Sequence, residues 1–113
     1  MTVAKLTKAE REWVGRYRIE LQEKHHDAVE QILLYGSKAR GDAGPDSDLD
    51  VLLIVRNEAA KQKRSLRRIG YLLAAKSDVV PSILAYTSAE WQQRRRSGSA
   101  FCRAVECDEV RVL

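Results

Sequence analysis

Residues 32–55 read ILLYGSKARGDAGPDSDLDVLLIV, and this stretch decides the fold. It contains two apolar runs, the first closing at Gly36-Ser37 and the second beginning at Asp48-Leu49-Asp50. Short aliphatic runs bounded by glycine and polar residues are typical of buried strands. The sequence therefore predicts two strands joined by a polar, glycine-bearing connection of ten residues, 38–47.

Two carboxylates lie where the second run begins. Side chains alternate across a strand, so Asp48 and Asp50 should point to the same face with Cα atoms roughly 6 to 7 Å apart. Two neighbouring carboxylates beside an apolar strand need a cation or protons to relieve their repulsion. If the first strand ends where the second begins, Gly36 and Ser37 face this pair across a small gap.

A phosphate group suits that gap. Gly36 lets the backbone approach an anion closely, the amides of the following turn point towards it, and Ser37 adds a hydroxyl group. Mg²⁺ held by Asp48 and Asp50 can bridge to the same phosphates while keeping several of its waters. This arrangement is typical of metal-assisted phosphoryl or nucleotidyl transfer.

The two motifs, GSKARG followed by SDLD, resemble the signature motifs of the DNA polymerase beta nucleotidyltransferase superfamily. Within it, the chain resembles the minimal nucleotidyltransferases, small proteins often paired with HEPN-domain toxins. The resemblance implies an α/β (α+β) fold, with a mixed sheet flanked by helices in a single domain over residues 1–113.

The resemblance also implies roles for individual residues. Gly36 and Ser37 would bind the phosphates of ATP, and Asp48 and Asp50 would hold Mg²⁺. In the resembling family the arginine of the turn after Gly-Ser lies near the phosphates, so Arg40, and Lys38 beside it, become candidates for balancing their charge. The implied reaction is transfer of AMP to a hydroxyl acceptor, such as a tyrosine of a cognate HEPN toxin, which would make the protein an antitoxin.

One departure from the family pattern bears on catalysis. Catalytic members usually carry a third carboxylate on the neighbouring strand, and here that strand reads VVPSIL from residue 79, with no acid inside it. Asp78 is the nearest candidate for a third catalytic acid if the strand begins early enough. If Ser82 takes the facing position instead, Asp78 lies about 13 Å away along the strand at ~3.3 Å per residue. The alternative function is then a catalytically weak nucleotide-binding antitoxin that neutralises its partner by docking.

Composition sets the class of protein. The chain has 113 residues, of which 44% are hydrophobic and 32% charged, and a formal net charge of +4. These values fit one soluble globular domain that favours anionic ligands. The first twelve residues have no apolar signal core and no run is long enough to span a membrane, so we expect a cytoplasmic location. Two cysteines cannot build a zinc site or a disulfide framework, and free thiols are expected.

The remaining segments predict helices and strands around the motif. A capping box at Thr7 and Glu10 should open a first helix, and a second is expected over residues 58–76. A third strand over residues 79–86 follows, then a helix opened by a capping box at Thr87, a short helix and a last strand over residues 110–113. The second helix should return the chain to the carboxylate end, and Pro81 suggests an edge strand or a bulge there.

The second helix also carries a basic face. This face is either merely solvated or contacts a partner protein or RNA. Direct nucleic-acid binding is the weakest interpretation, because no aromatic residues are interleaved with the charges. The sequence leaves the oligomeric state open. The residues of the face are Lys61, Lys63, Arg64, Arg67 and Arg68.

Overall fold

The computed structural model describes residues 5–44 and 46–113. Their strands form one four-stranded sheet in the order β3-β2-β1-β4. Strand β1 runs antiparallel to both β2 and β4, while β2 and β3 are parallel. The predicted mixed sheet flanked by helices is therefore confirmed. The strands are β1 (Val29–Tyr35), β2 (Leu49–Val55), β3 (Pro81–Thr87) and β4 (Val110–Arg111).

The central strand β2 is buried on both faces, as its continuous aliphatic sequence predicts. Val51 and Leu53 belong to a core shared with the first and third helices, whereas Leu52 and Ile54 belong to a second core beneath the last two helices. The alternation of β2 side chains thus places one apolar core on each side of the sheet. Leu49, where the strand begins, is already fully buried.

The first and fourth helices begin at the capping boxes that the sequence predicts. At Thr7, the side chain accepts a hydrogen bond from the Glu10 amide and the Glu10 carboxylate accepts one from the Thr7 amide. Thr87 and Glu90 form a second capping box of the same kind. The helices are α1 (Lys8–Lys24), α2 (Gly36–Arg40), α3 (Lys63–Ala74), α4 (Ser88–Arg96) and α5 (Ala100–Asp108).

The prediction of a single helix over residues 58–76 is wrong, because this segment is divided into two helices. A 3-10 helix (Asn57–Gln62) comes first, and α3 covers only Lys63–Ala74. The Asn57 side chain accepts a hydrogen bond from the Ala89 amide of α4, and Ala59 is buried. These two contacts hold the 3-10 helix against the rest of the fold. Leu66 and Gly70 are buried on the inner side of α3 as expected.

The 3-10 helix and α3 together return the chain to the start of β2, as was predicted for a single helix. Leu49 pairs with Pro81 and Asp50 with Ser82 in the parallel register. Pro81 is the first residue of β3, an edge strand, so the missing amide costs no ladder hydrogen bond. None of the described helices is both long and apolar enough to cross a membrane.

Candidate functional site

The end of β1 and the beginning of β2 lie side by side, because Tyr35 pairs with Asp50 in the antiparallel register. Gly36 follows directly and has a positive φ of 76°. A Cβ atom at Gly36 would overlap the Asp50 Oδ2 atom and would lie 3.3 Å from its Cγ. The position thus requires glycine for two reasons, the left-handed backbone and the close approach of the carboxylate. The structure brings the Gly-Ser and Asp-x-Asp motifs together.

The two aspartates interact electrostatically. Asp50 is half-buried in β2, and Asp48 is exposed just before the strand. Burial raises the pKa of the Asp50 carboxyl, the nearby Asp48 charge raises it further, and the Arg40 charge opposes both. A carboxylate pair that disfavours its own ionised form is relieved by a bound cation.

This donor set fits Mg²⁺. The ion is commonly held by one or two protein carboxylates, with phosphates and waters completing its shell. Asp48 and Asp50 supply such a pair beside the backbone of Gly36. No group of three or more aspartate, glutamate, histidine or cysteine residues suited to a metal occurs within the described residues.

The short helix α2 carries Ser37 and Arg40 next to this pair. The Ser37 carbonyl accepts hydrogen bonds from the Gly41 amide at 2.9 Å and the Asp42 amide at 3.1 Å, which closes the turn after α2. The exposed Arg40 guanidinium donates to Asp108 at 2.7 Å and to Asp42 at 3.2 Å. Its charge still reaches Asp50, where it opposes the rise in the pKa of that carboxyl. The role that the resemblance implies for Arg40 at the phosphates stays a prediction.

Asp108 is a residue that sequence reasoning missed. It is the last residue of α5, and its carboxylate holds Arg40 beside the motif. The two residues lie far apart in the chain and only the packing of α5 against α2 joins them. No local pattern could have found this pair.

Lys38, the other candidate for balancing phosphate charge, forms a buried ion pair. The side chain is buried, and its Nζ atom lies 3.0 Å from the Glu10 Oε2 atom of α1. The Lys38 side chain thus reaches from α2 to α1. Lys38 therefore ties α2 to α1 instead of presenting its charge at the Gly-Ser turn.

The facing position on β3 is taken by Ser82, which pairs with Asp50. Asp78 lies in the exposed bend before β3, four residues before Ser82. There it lines a cavity of about 410 Å³ together with Asp46 and Lys38. The register is thus the one in which Asp78 does not complete a set of three acids.

Tyr35 is a second residue that sequence reasoning missed. It precedes the Gly-Ser motif, pairs with Asp50, and packs edge-to-face on Phe101 of α5 at 5.5 Å between ring centroids. Burial, and next the Asp50 charge, raise the pKa of the Tyr35 hydroxyl to about 12. The residue could have been identified from the hairpin, since the last residue of β1 must lie beside an early residue of β2.

A cavity of about 590 Å³ lies at the opposite end of the sheet, between β1 and the two last helices. It is lined by residues at the start of β1 and the end of β2, including Val29 and Ile54, so it is separate from the carboxylate pair. Its charged lining is balanced, with three arginines and three glutamates: Arg56, Arg95, Arg111, Glu30, Glu106 and Glu109.

Comparison with known proteins places this geometry in context. A family model described as a nucleotidyltransferase domain matches residues 14–103, which include both motifs and β3. A protein of Methanocaldococcus jannaschii named "Putative protein adenylyltransferase MJ0141" is 34% identical over 61 residues. That alignment covers 53% of this chain and 62% of the relative, so the chain spans less than two thirds of the relative's length.

Proposed function

Because the chain belongs to the nucleotidyltransferase domain family, we propose that it transfers AMP from Mg²⁺-ATP to a hydroxyl group of a protein acceptor. The observation that carries this proposal is the close approach of the Gly36 backbone to the Asp50 carboxylate, with Asp48 beside it. The printed name of the Methanocaldococcus jannaschii relative supports a protein as the acceptor.

Each residue of the site has a distinct task in this proposal. Gly36 lets the Asp50 carboxylate lie against the turn that would bind the phosphates, and Asp48 and Asp50 would hold the metal. Arg40 contributes positive charge and is kept in place by Asp108. Bound Mg²⁺ would stabilise the negative charge that builds up on the phosphate oxygens. The acceptor oxygen forms a bond to the α-phosphorus of ATP, the bond to pyrophosphate breaks, and the hydroxyl proton is released.

The acceptor is proposed on the basis of the family resemblance. Minimal nucleotidyltransferases are often paired with HEPN-domain toxins, so the proposed acceptor is a tyrosine of such a toxin. Addition of AMP would neutralise the partner, and the protein would act as its antitoxin. The net charge of +4 favours ATP and other anionic ligands in general.

One observation favours a second candidate function. Ser82 occupies the position opposite Asp50, and the described residues place no third acid beside the pair. A third carboxylate would serve to activate the acceptor hydroxyl. Without it, the protein would bind nucleotide and neutralise its partner mainly by docking.

The two candidates are separated by co-expression with the protein encoded by the neighbouring reading frame. Intact-mass spectrometry of the partner should show a gain of one AMP, and the gain should be lost with Asp50→Asn. Asp46→Asn, which alters an exposed loop aspartate, is the matched control and should keep the gain. A tight complex without a mass gain, in the presence of ATP and Mg²⁺, would establish docking instead.

A further inference from the structure

The outer face of α3 carries unopposed positive charge. The helix reads KRSLRRIGYLLA and contains no acidic residue. Lys63 is paired with Glu90 of α4, whereas Arg64, Arg67 and Arg68 make no salt bridge to any described residue. Three arginines on one face therefore lack the carboxylate partner that Arg40 has in Asp108.

Apolar surface lies next to these arginines. Together they line a surface groove of about 390 Å³, which we call the α3 groove: Arg64, Arg67, Arg68, Tyr71 and Leu72. The spacing of three to four residues places all five on one side of the helix. Leu72 is 56% exposed and Tyr71 is 43% exposed, which is high for apolar residues of their size.

Arg67, one of the groove residues, has an unsatisfied donor. Its Nε atom is buried and has no hydrogen-bond partner within residues 5–44 and 46–113. Buried donors are nearly always paired in folded proteins, and a charged donor without a partner is costly. A carboxylate that enters the groove would allow the Arg67 guanidinium to turn outward and satisfy this donor.

We propose that the α3 groove binds an acidic segment of a partner protein, with carboxylates against the arginines and an apolar side chain against Leu72. Such a segment supplies both kinds of complementarity that the groove requires. A nucleic-acid backbone would supply the negative charge, but it has no aliphatic side chain to cover Leu72. The groove therefore fits a protein better than RNA.

One end of the groove connects it to the carboxylate pair. The Tyr71 hydroxyl accepts a hydrogen bond from the Ile83 amide of β3 at 3.0 Å, one residue from Ser82, which faces Asp50. The Tyr71 end of the groove thus lies near the start of β3, whereas Arg64 follows Lys63, which pairs with Glu90 beyond the end of β3. Delivery of an acceptor hydroxyl from the Tyr71 end rests on the proposed function, whereas binding of the acidic segment does not.

The test measures binding of a fluorescent glutamate–tyrosine copolymer to the full chain by anisotropy, without ATP or Mg²⁺. Arg64→Glu/Arg68→Glu should weaken binding by about tenfold or more, because two attractive contacts become repulsive. Leu72→Ser should weaken it several-fold. The matched charge reversal Arg96→Glu/Arg103→Glu, on α4 and α5, should leave the affinity within about twofold.

Three outcomes would overturn the proposal. Equal losses in the α3 and α4–α5 variants would show that only net charge matters. Tighter binding of polyuridylate than of the copolymer, with no effect of Leu72→Ser, would assign the groove to RNA. Unchanged affinity in the α3 variant, with its circular dichroism intact, would remove the groove altogether. Asp50→Asn should bind the copolymer with unchanged affinity. A loss of AMP transfer can therefore be distinguished from a loss of docking.

Discussion

At Gly36, two costs of adding a side chain coincide, the positive φ of 76° and the overlap with the Asp50 carboxylate. Gly98 has a similar φ of 74° but open space around it. A substitution at Gly98 therefore measures the cost of the backbone conformation without the cost of overlap. Gly98→Ala should cost about 1 to 2 kcal/mol from backbone strain alone. Gly36→Ala should cost clearly more in urea unfolding, because the carboxylate must also move.

A double-mutant cycle isolates the part of this cost that comes from Asp50. Adding Asp50→Ser to Gly36→Ala should recover a portion of the lost stability, since the smaller side chain relieves the overlap. Equal costs of Gly36→Ala and Gly98→Ala, with no coupling to position 50, would show that the two residues do not press on each other.

Asp50 itself should limit the stability of the metal-free protein at neutral pH. Because its pKa is raised in the folded state, the ionised carboxylate is disfavoured there relative to the unfolded chain. The penalty is fully present above the folded pKa and vanishes below the unfolded value of about 3.9. Asp50→Asn should therefore raise Tm at pH 7 in the presence of a chelator, and the gain should fade as the pH drops through this window.

The loop variant Asp46→Asn provides the comparison for this measurement, since Asp46 is exposed and precedes β2. Its Tm should match that of the unaltered protein across the same pH range. A gain with Asp50→Asn that persists at acid pH would arise from packing and not from charge.

At the scale of elements, alanine substitutions at two helical glycines should have opposite effects on the free energy of unfolding. A Cβ atom at Gly15 in α1 would have open space within 4 Å, so Gly15→Ala should stabilise by up to about 1 kcal/mol through helix propensity. At Gly70 in α3 the added Cβ would lie 2.5 Å from Ile83 Cδ1 and 2.9 Å from Tyr17 Cζ. Gly70→Ala should destabilise by about 1 to 3 kcal/mol.

Urea unfolding of the two variants tests whether Gly70 allows α1 and α3 to approach each other. The Trp13 indole also donates to the Gly70 carbonyl at 2.9 Å, so separation of the helices would break a buried hydrogen bond. A stabilising Gly70→Ala would contradict the close packing.

Helix α2 is anchored to α1 by the buried pair of Lys38 and Glu10, whose side chains are 10% and 8% exposed. Removing one partner leaves the other charge buried, so Lys38→Met should cost about 3 kcal/mol. The exposed pair of Lys24 and Glu20 has the same 3.0 Å separation, yet Lys24→Met should cost less than about 1 kcal/mol. Equal costs in denaturant unfolding would contradict the buried role of Lys38.

Across the whole molecule, the features that were predictable from sequence are those that neighbouring residues determine. The capping boxes at Thr7 and Thr87 depend on residues three apart, and the burial of β2 follows from its own composition. The juxtaposition of Gly36 with Asp50 followed from a hairpin-like connection between two recognisable strands. These local signals are also sufficient to predict the family and the fold.

The remaining features depend on how distant elements pack. The direction of Lys38 depends on the rotation of a five-residue helix against α1, and the pairing of Arg40 with Asp108 depends on α5. Whether Asp78 or Ser82 lies opposite Asp50 depends on the register between β2 and β3. A change of a few residues in that register would change which side chain faces Asp50. None of these is encoded in a short window of sequence.

The two cores on either side of the sheet lead to a prediction for the whole chain. Each contains one of the two tryptophans, Trp13 of α1 on one side and Trp91 of α4 on the other. Because β2 contributes alternate side chains to both cores, loss of either core exposes the other, and the chain should unfold as one cooperative unit. Each tryptophan can be observed alone when the other is replaced by phenylalanine. The fluorescence of Trp13 in the Trp91→Phe variant should follow the same urea transition as the circular dichroism of that variant. The same should hold for the fluorescence of Trp91 in the Trp13→Phe variant. A Trp91 transition that precedes the loss of circular dichroism would show that α4 and α5 detach from the sheet before the rest of the fold is lost.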